Sequence, residues 1–133
     1  MSGRMSWDDY FLALAKTVSF RADCRRARHG CVIVDTDKRV AATGYNGSAP
    51  GGPSCLAGEC PRGLLSNAEC ASLSDYSNCH ALHAEVNAVA NADARRCKGG
   101  TVYLTGRPCD WCQKVMRAAG IARVVWPGNE MTL

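Results

Sequence analysis

Two short stretches carry side chains whose types and spacing suit a metal site. His83-Ala84-Glu85 supplies an imidazole, and Pro108-Cys109-Asp110-Trp111-Cys112 supplies two thiols three positions apart. A Cys-x-x-Cys pair opening a helix turns both sulfurs toward one ion. Helix N-terminal amides and the cation each lower the thiol pKa values. His83, Cys109 and Cys112 together form a good zinc set. Three protein ligands leave the fourth tetrahedral position to water, the arrangement of a catalytic rather than a structural zinc. Zinc brings the pKa of that water to about 7. Glu85, two residues past His83, is spaced to take the water proton and deliver it to a substrate nitrogen.

Two readings outside hydrolysis stay open. One is a non-enzymatic zinc-binding module, which would want a fourth protein ligand. The other is a redox dithiol, which explains neither His83 nor Glu85.

The elements that must position these groups follow from the hydrophobic pattern. Ser6 and Asp9 have capping-box spacing. Trp7, Phe11, Leu14 and Val18 recur at helical spacing and predict an amphipathic first helix. Cys31 to Val34 reads as a buried strand, Asp35 to Lys38 as a polar turn, and Arg39 to Tyr45 as a returning strand. From Asn46 to about Cys70 the chain is rich in Gly, Pro and Cys and has no clear period, within a Cys-rich insert at about 46–80. A loop that long in a compact domain must be held by something. His83 opens a segment of helical spacing through about Ala94, and Gly99-Gly100 breaks it. Thr101 to Thr105 reads as a strand. Pro108 suits the first position of a helix that Gly120 ends. Ile121 to Trp126 is a last strand, stopped by Pro127. The order predicts one sheet with helices on its faces and parallel strands near the C-terminus.

The chain has 133 residues, 47% of them hydrophobic and 21% charged, which fits one globular domain over 1–133 and excludes disorder. No run of about 18 apolar residues is present, and the N-terminus has no secretory pattern, so a cytoplasmic protein is expected. The net charge of +4 is mild, but Arg21, Arg25, Arg26 and Arg28 form a local basic cluster. Aromatic residues make up 7% of the chain, too few to stack a polynucleotide along a long groove. Nine cysteines are many for a reducing compartment, and an odd number cannot pair completely. Metal ligation or reactive thiols account for them better than bridges.

His-x-Glu followed by Pro-Cys-x-x-Cys is the signature of zinc-dependent nucleobase deaminases. From Trp7 to Trp126 the chain resembles the deoxycytidylate (dCMP) deaminases of the cytidine deaminase-like superfamily. Gly44-Tyr45-Asn46-Gly47 resembles that family's GYNG loop. Arg21-Ala22-Asp23-Cys24-Arg25-Arg26 with Gly30-Cys31-Val32-Ile33-Val34, His83-Ala84-Glu85-Val86-Asn87-Ala88, and Gly120-Ile121-Ala122-Arg123-Val124-Val125 are similar to three further family segments. Departures from the family pattern are Ala22, His29, Cys31 and Arg107.

The resemblance implies a three-layer α/β/α fold with a mixed five-stranded sheet and hydrolytic deamination of dCMP to dUMP. It implies that Glu85 is catalytic, that Asn46 bonds the sugar hydroxyl, and that the Ala84 amide faces the pyrimidine. Arg26, with Arg21, would meet the 5′-phosphate, and Arg107 would lie at the mouth of the site. Cys24, Cys55, Cys60 and Cys79 match positions of a second, structural zinc, with Cys70 or His80 as substitutes for one ligand. Cys31 and Cys97 read as small core residues, and Trp111 as a core or pocket residue. Homo-oligomers, commonly hexamers, and dCTP or dTTP effectors acting with Mg2+ belong to the same implication. The chain ends soon after the last expected strand, so the family's C-terminal extension is expected to be absent. Other cytosine nucleotides, nucleosides or other nucleobases remain alternative substrates.

Overall fold

The computed structural model describes residues 3–66, 69 and 79–133. Helix α1 (Trp7–Ser19) starts at Ser6, whose Oγ accepts the Asp9 N–H at 3.1 Å, and Asp8 and Asp9 complement the helix N-terminus. Its buried stripe is Phe11, Ala15 and Ser19, with Leu14 and Val18 beside it. Trp7 differs from expectation: it stacks on Phe11 at 5.6 Å and stays half exposed.

Strand β1 (Gly30–Val34) is buried along its whole length, as a central strand covered on both faces should be. Strand β2 (Val40–Tyr45) returns through a tight turn, where Asp35 Oδ1 accepts the N–H groups of Asp37 and Arg39. A 3-10 turn spans Arg62–Leu64. Helix α2 (Ala84–Asn91) is followed by the single turn α3 (Ala94–Cys97), strand β3 (Thr101–Leu104), helix α4 (Asp110–Ala118), strand β4 (Arg123–Trp126) and strand β5 (Asn129–Thr132).

The strand order is β2-β1-β3-β4-β5, with β3 and β4 parallel and the other pairs antiparallel. Strand residues alternate between two cores. Cys31, Ile33, Val102, Leu104 and Val124 face α2, α3 and α4. Val32, Val34, Tyr103 and Val125 face α1. The described chain is therefore the expected three-layer α/β/α sandwich. Cys31 and Cys97 are core residues of the first face.

Two glycines let the helices approach. A Cβ on Gly44 of β2 would lie 2.4 Å from Ala88 N and 2.5 Å from Ala84 O, and one on Gly30 would lie 2.0 Å from Ala15 O. Only a bare Cα permits those contacts.

Three boundaries differ from the sequence reading. The helix from His83 ends at Asn91, because Asp93 caps a new turn by accepting the Arg95 N–H at 2.9 Å. Pro108 lies one residue outside α4, whose N-cap is Cys109. Gly120 does end α4: it takes φ 91°, and Ile121 N–H returns to Met116 O in a Schellman closure. Pro127 does not end the sheet. Pro127-Gly128, with Gly128 at φ 78°, turns the chain back into β5.

Candidate active site

Two helix N-termini meet on one face of the sheet, because α2 and α4 both pack into the same core through Ala84, Ala88, Cys112 and Met116. His83 is the N-cap of α2 and Cys109 the N-cap of α4. Cys112 sits in the first turn of α4, and its N–H donates to Cys109 Sγ at 3.4 Å. His83 Nδ1 lies 3.3 Å from Cys112 Sγ and 3.6 Å from Cys109 Sγ. All three ligand atoms fall within 4.8 Å of one another, the one such group among the described residues. Tetrahedral zinc, with Zn–N of about 2.0 Å and Zn–S of about 2.3 Å, sets its N and S donors about 3.5 Å apart. The donor set and its spacing therefore fit zinc.

Glu85, in the first turn of α2, is buried and lines the same cavity as His83 and Cys109. Burial pushes the Cys112 thiol well above its ordinary pKa, and the adjacent Glu85 carboxylate pushes it further. Such a sulfur becomes a thiolate ligand when a cation compensates it.

The cavity has a volume of about 330 Å³. Asn46 and Ala84 line it, as expected. Asn46 is buried, and its side chain is largely committed: Oδ1 accepts the His29 N–H at 2.7 Å and Nδ2 donates to Ala27 O at 2.8 Å. One Oδ1 lone pair and one Nδ2 hydrogen are left for a ligand. Asn87 Nδ2 donates to Tyr45 O at 2.8 Å and Gly47 O at 3.2 Å, and Gly47 pairs with Leu82 beside His83. The GYNG segment and the His-x-Glu segment are thus tied into one wall.

The arginines divide. Arg26 lines the cavity, but its Nη2 donates to Arg62 O at 3.0 Å and to Leu65 O. Arg21 is outside the lining and lies over the Tyr45 ring at 5.9 Å. Arg107 is exposed and lines the cavity. Arg62 and His29 also line it; Arg62 was not singled out in the sequence, and His29 only as a departure from the family pattern. No spacing rule marks them, since both reach the cavity through loop geometry. Trp111 is neither core nor pocket: it is 66% exposed on the outer side of α4 and absent from the lining.

Cys24, Cys55, Cys60 and Cys79 come to the same cavity wall. Each sulfur receives backbone N–H donation. Arg26 N donates to Cys24 Sγ at 3.4 Å and Arg25 N to Cys55 Sγ at 3.3 Å. Burial opposes ionisation of Cys60, yet N–H groups of Gly63, His80 and Arg62, with the Cys79 side chain, hold its thiol below the ordinary range. Burial raises Cys55 and Cys79, against donation from Arg25 N–H and Ala81 N–H respectively. A Cβ on Gly63 would lie 2.6 Å from Cys55 Sγ. The Cys55 and Cys79 side chains each lie within hydrogen-bond reach of Cys60. Cys70 lies outside the described residues.

Asp23 anchors the start of the long loop, accepting Ser54 Oγ–H at 3.0 Å and Leu56 N–H at 2.8 Å. With the Cys55 and Arg26 contacts, it ties residues 46–65 to the segment after α1.

Residues 5–127 match the family described as the cytidine and deoxycytidylate deaminase zinc-binding region. The deoxycytidylate deaminase of Mycobacterium phage D29 is 42% identical over 128 residues, covering 93% of this chain and 96% of that protein. The deoxycytidylate deaminase of Schizosaccharomyces pombe is 38% identical over 124 residues, 92% of this chain but 37% of that protein. The dCMP deaminase of cyanophage S-TIM5, solved in complex with dCMP and dUMP, superposes with a TM-score of 0.66 at 24% identity, covering 91% of this chain and 82% of that one.

Proposed function

The chain belongs to the cytidine and deoxycytidylate deaminase zinc-binding family, and on that premise we propose that it hydrolyses dCMP to dUMP and ammonia. The observation that carries this reading is the convergence of His83, Cys109 and Cys112 beside buried Glu85 in one cavity with arginines in its wall. His83, Cys109 and Cys112 would hold a zinc ion, whose Lewis acidity would bring the pKa of a water to about 7. Glu85 takes the first proton of that water and gives it to N3 of the cytosine ring. The water oxygen adds to C4, making it tetrahedral. Glu85 then moves the remaining hydroxyl proton to the 4-amino group. The C–N bond breaks, ammonia leaves, and the C4 carbonyl of dUMP remains. Asn46 offers its spare donor and acceptor to the sugar. The Ala84 N–H, in the first turn of α2 and without an intrahelical acceptor, offers a donor to the pyrimidine edge. Arg26 and Arg107 give the cavity its positive charge.

A second, structural zinc on Cys24, Cys55, Cys60 and Cys79 is part of the same proposal, supported by the N–H donation to every sulfur. It would fasten the Cys-rich segment over the cavity within a single domain. Assembly into a homo-oligomer is supported by the exposed Trp7, Tyr10, Phe20 and Trp111. Regulation by dCTP or dTTP with Mg2+ rests on the family resemblance. A cytoplasmic setting suits the nucleotide substrate and the eight described cysteines, all free. No helix among the described residues is long and apolar enough to cross a membrane.

Ammonia release measured across dCMP, CMP, dCTP, deoxycytidine, guanine and short oligonucleotides tests the reading. Turnover of dCMP above the rest is expected. Release from guanine or oligonucleotides alone would contradict it. Metal content in the same preparation should be two zinc per chain, falling to one in Cys60→Ser.

A further inference from the structure

The arginines of the cavity wall are not equivalent. Arg26 spends its guanidinium on loop carbonyls, and Arg62 is buried. Arg107 is exposed, and among the described residues it meets no hydrogen-bond or ion-pair partner. It follows β3 in the segment Thr105-Gly106-Arg107. The start of β1 lies alongside, since Cys31 pairs with Leu104 and Gly30 N donates to Thr105 Oγ1 at 3.1 Å. His29, just before β1, therefore reaches the same lip of the cavity. Its ring rests against Gly106, whose Cβ position would be 3.6 Å from Cε1 and 3.8 Å from Nδ1.

The hydrogen bonds at this lip accommodate a ring proton on His29 Nε2. Thr105 Oγ1 already accepts from Gly30 N, so its own hydrogen is available to His29 Nδ1, 3.4 Å away. In the tautomer in which Nδ1 accepts that hydrogen, the ring proton sits on Nε2. Nε2 meets no partner among the described residues. In that tautomer the lip offers one N–H donor from His29 beside the Arg107 guanidinium. The cavity's described lining holds a single carboxylate, Glu85, which the deamination uses.

We propose that His29 Nε2–H and the Arg107 guanidinium form the seat of the substrate's 5′-phosphate, making His29 a specificity-determining residue that favours nucleotide over nucleoside. The proposal rests on the dCMP reading above and names the group that reads the phosphate. Hydrogen bonds to a charged acceptor are the strong ones, and the guanidinium suits phosphate geometry.

Steady-state kinetics of the zinc-loaded protein tests it. Wild-type turnover of dCMP is measured first, and none would overturn the dCMP reading and the seat together. With turnover established, His29→Leu and Arg107→Ser should each raise KM for dCMP about tenfold, far more than they lower kcat. Each should also cut the preference for dCMP over deoxycytidine by about tenfold. Inhibition constants of dUMP and deoxyuridine read the same ratio where deoxycytidine turns over too slowly. His29→Gln, which keeps a donor near the Nε2 position, should recover most of the preference. An unchanged nucleotide-to-nucleoside ratio in His29→Leu, whether or not activity falls, would overturn the seat and leave the dCMP reading standing.

Discussion

Asn46 illustrates how a residue at this site does two things at once. Its amide closes a bracket between His29 N–H and Ala27 O, and the residue also lines the cavity with one donor and one acceptor to spare. Asn46→Ala would take the side-chain partner from two part-buried backbone groups, His29 N–H and Ala27 C=O, at a cost of up to about 1 kcal/mol each where water replaces it. The expected result is a lower melting temperature together with a reduced kcat/KM. Thermal denaturation and kinetics on one preparation measure both. An Asn46→Ala protein with unchanged stability and unchanged kinetics would remove both roles. The metal ligands and Glu85 were legible in the sequence because their chemistry is tied to short spacings. Arg62 and His29 were not, because a loop brings them to the cavity and no periodicity records that. The Arg21–Arg28 cluster was legible as charge but not as geometry: Arg21 lies over Tyr45 and Arg25 Nε bonds Cys55 O.

At the scale of elements, the site depends on how closely α2 lies on β2. Gly44 provides that closeness, with Ala88 N and Ala84 O in the space a side chain would take. Gly44→Ala must push α2 outward, and overpacking of this kind costs about 1–3 kcal/mol. Because His83 and Glu85 ride on the N-terminal end of α2, turnover should fall more steeply than stability. Chemical denaturation against kcat distinguishes the two, and full activity in Gly44→Ala would show that the helix position is not critical. The strands and the caps of α1 and α4 were readable from period, Ser6 and Gly120. The strand β5 was hidden, because Pro127 reads as a stop when considered alone. The Pro-Gly pair is a turn signal, and the turn returns the chain as a fifth strand.

Across the whole molecule, residues 115 positions apart hold α1 to the far side of the sheet. Arg123 bonds Asp8 through Nη1 and Nη2 at 3.1 and 2.7 Å, and Tyr103 O–H donates to Asp8 Oδ1 at 2.7 Å. The Arg123 hydrogen bond, against some desolvation, holds the Asp8 carboxyl below its ordinary pKa. A depressed carboxylate stabilises the fold above its unfolded pKa, and that contribution fades as pH falls through the folded value. Melting temperature should therefore drop as pH goes from about 5 toward 3. Asp8→Asn should lower it at neutral pH by a few degrees and flatten this acid slope. A partly exposed pair of this kind is worth about 1 kcal/mol. An unchanged slope in Asp8→Asn would assign the acid sensitivity elsewhere.

One sheet with helices on its faces was readable from alternation and order of elements. The conformation of residues 46–66 was not, because it rests on scattered side-chain contacts such as Asp23 with Ser54 and Leu56. The account stands or falls on Glu85 acting beside a metal held by His83, Cys109 and Cys112. The most direct measurement is zinc content together with ammonia release from dCMP, for the wild-type protein and Glu85→Gln. Both proteins should hold the same zinc, and kcat should fall by about 10³-fold or more in the variant. Wild-type turnover in zinc-loaded Glu85→Gln, or no turnover in the zinc-loaded wild-type protein, would contradict it.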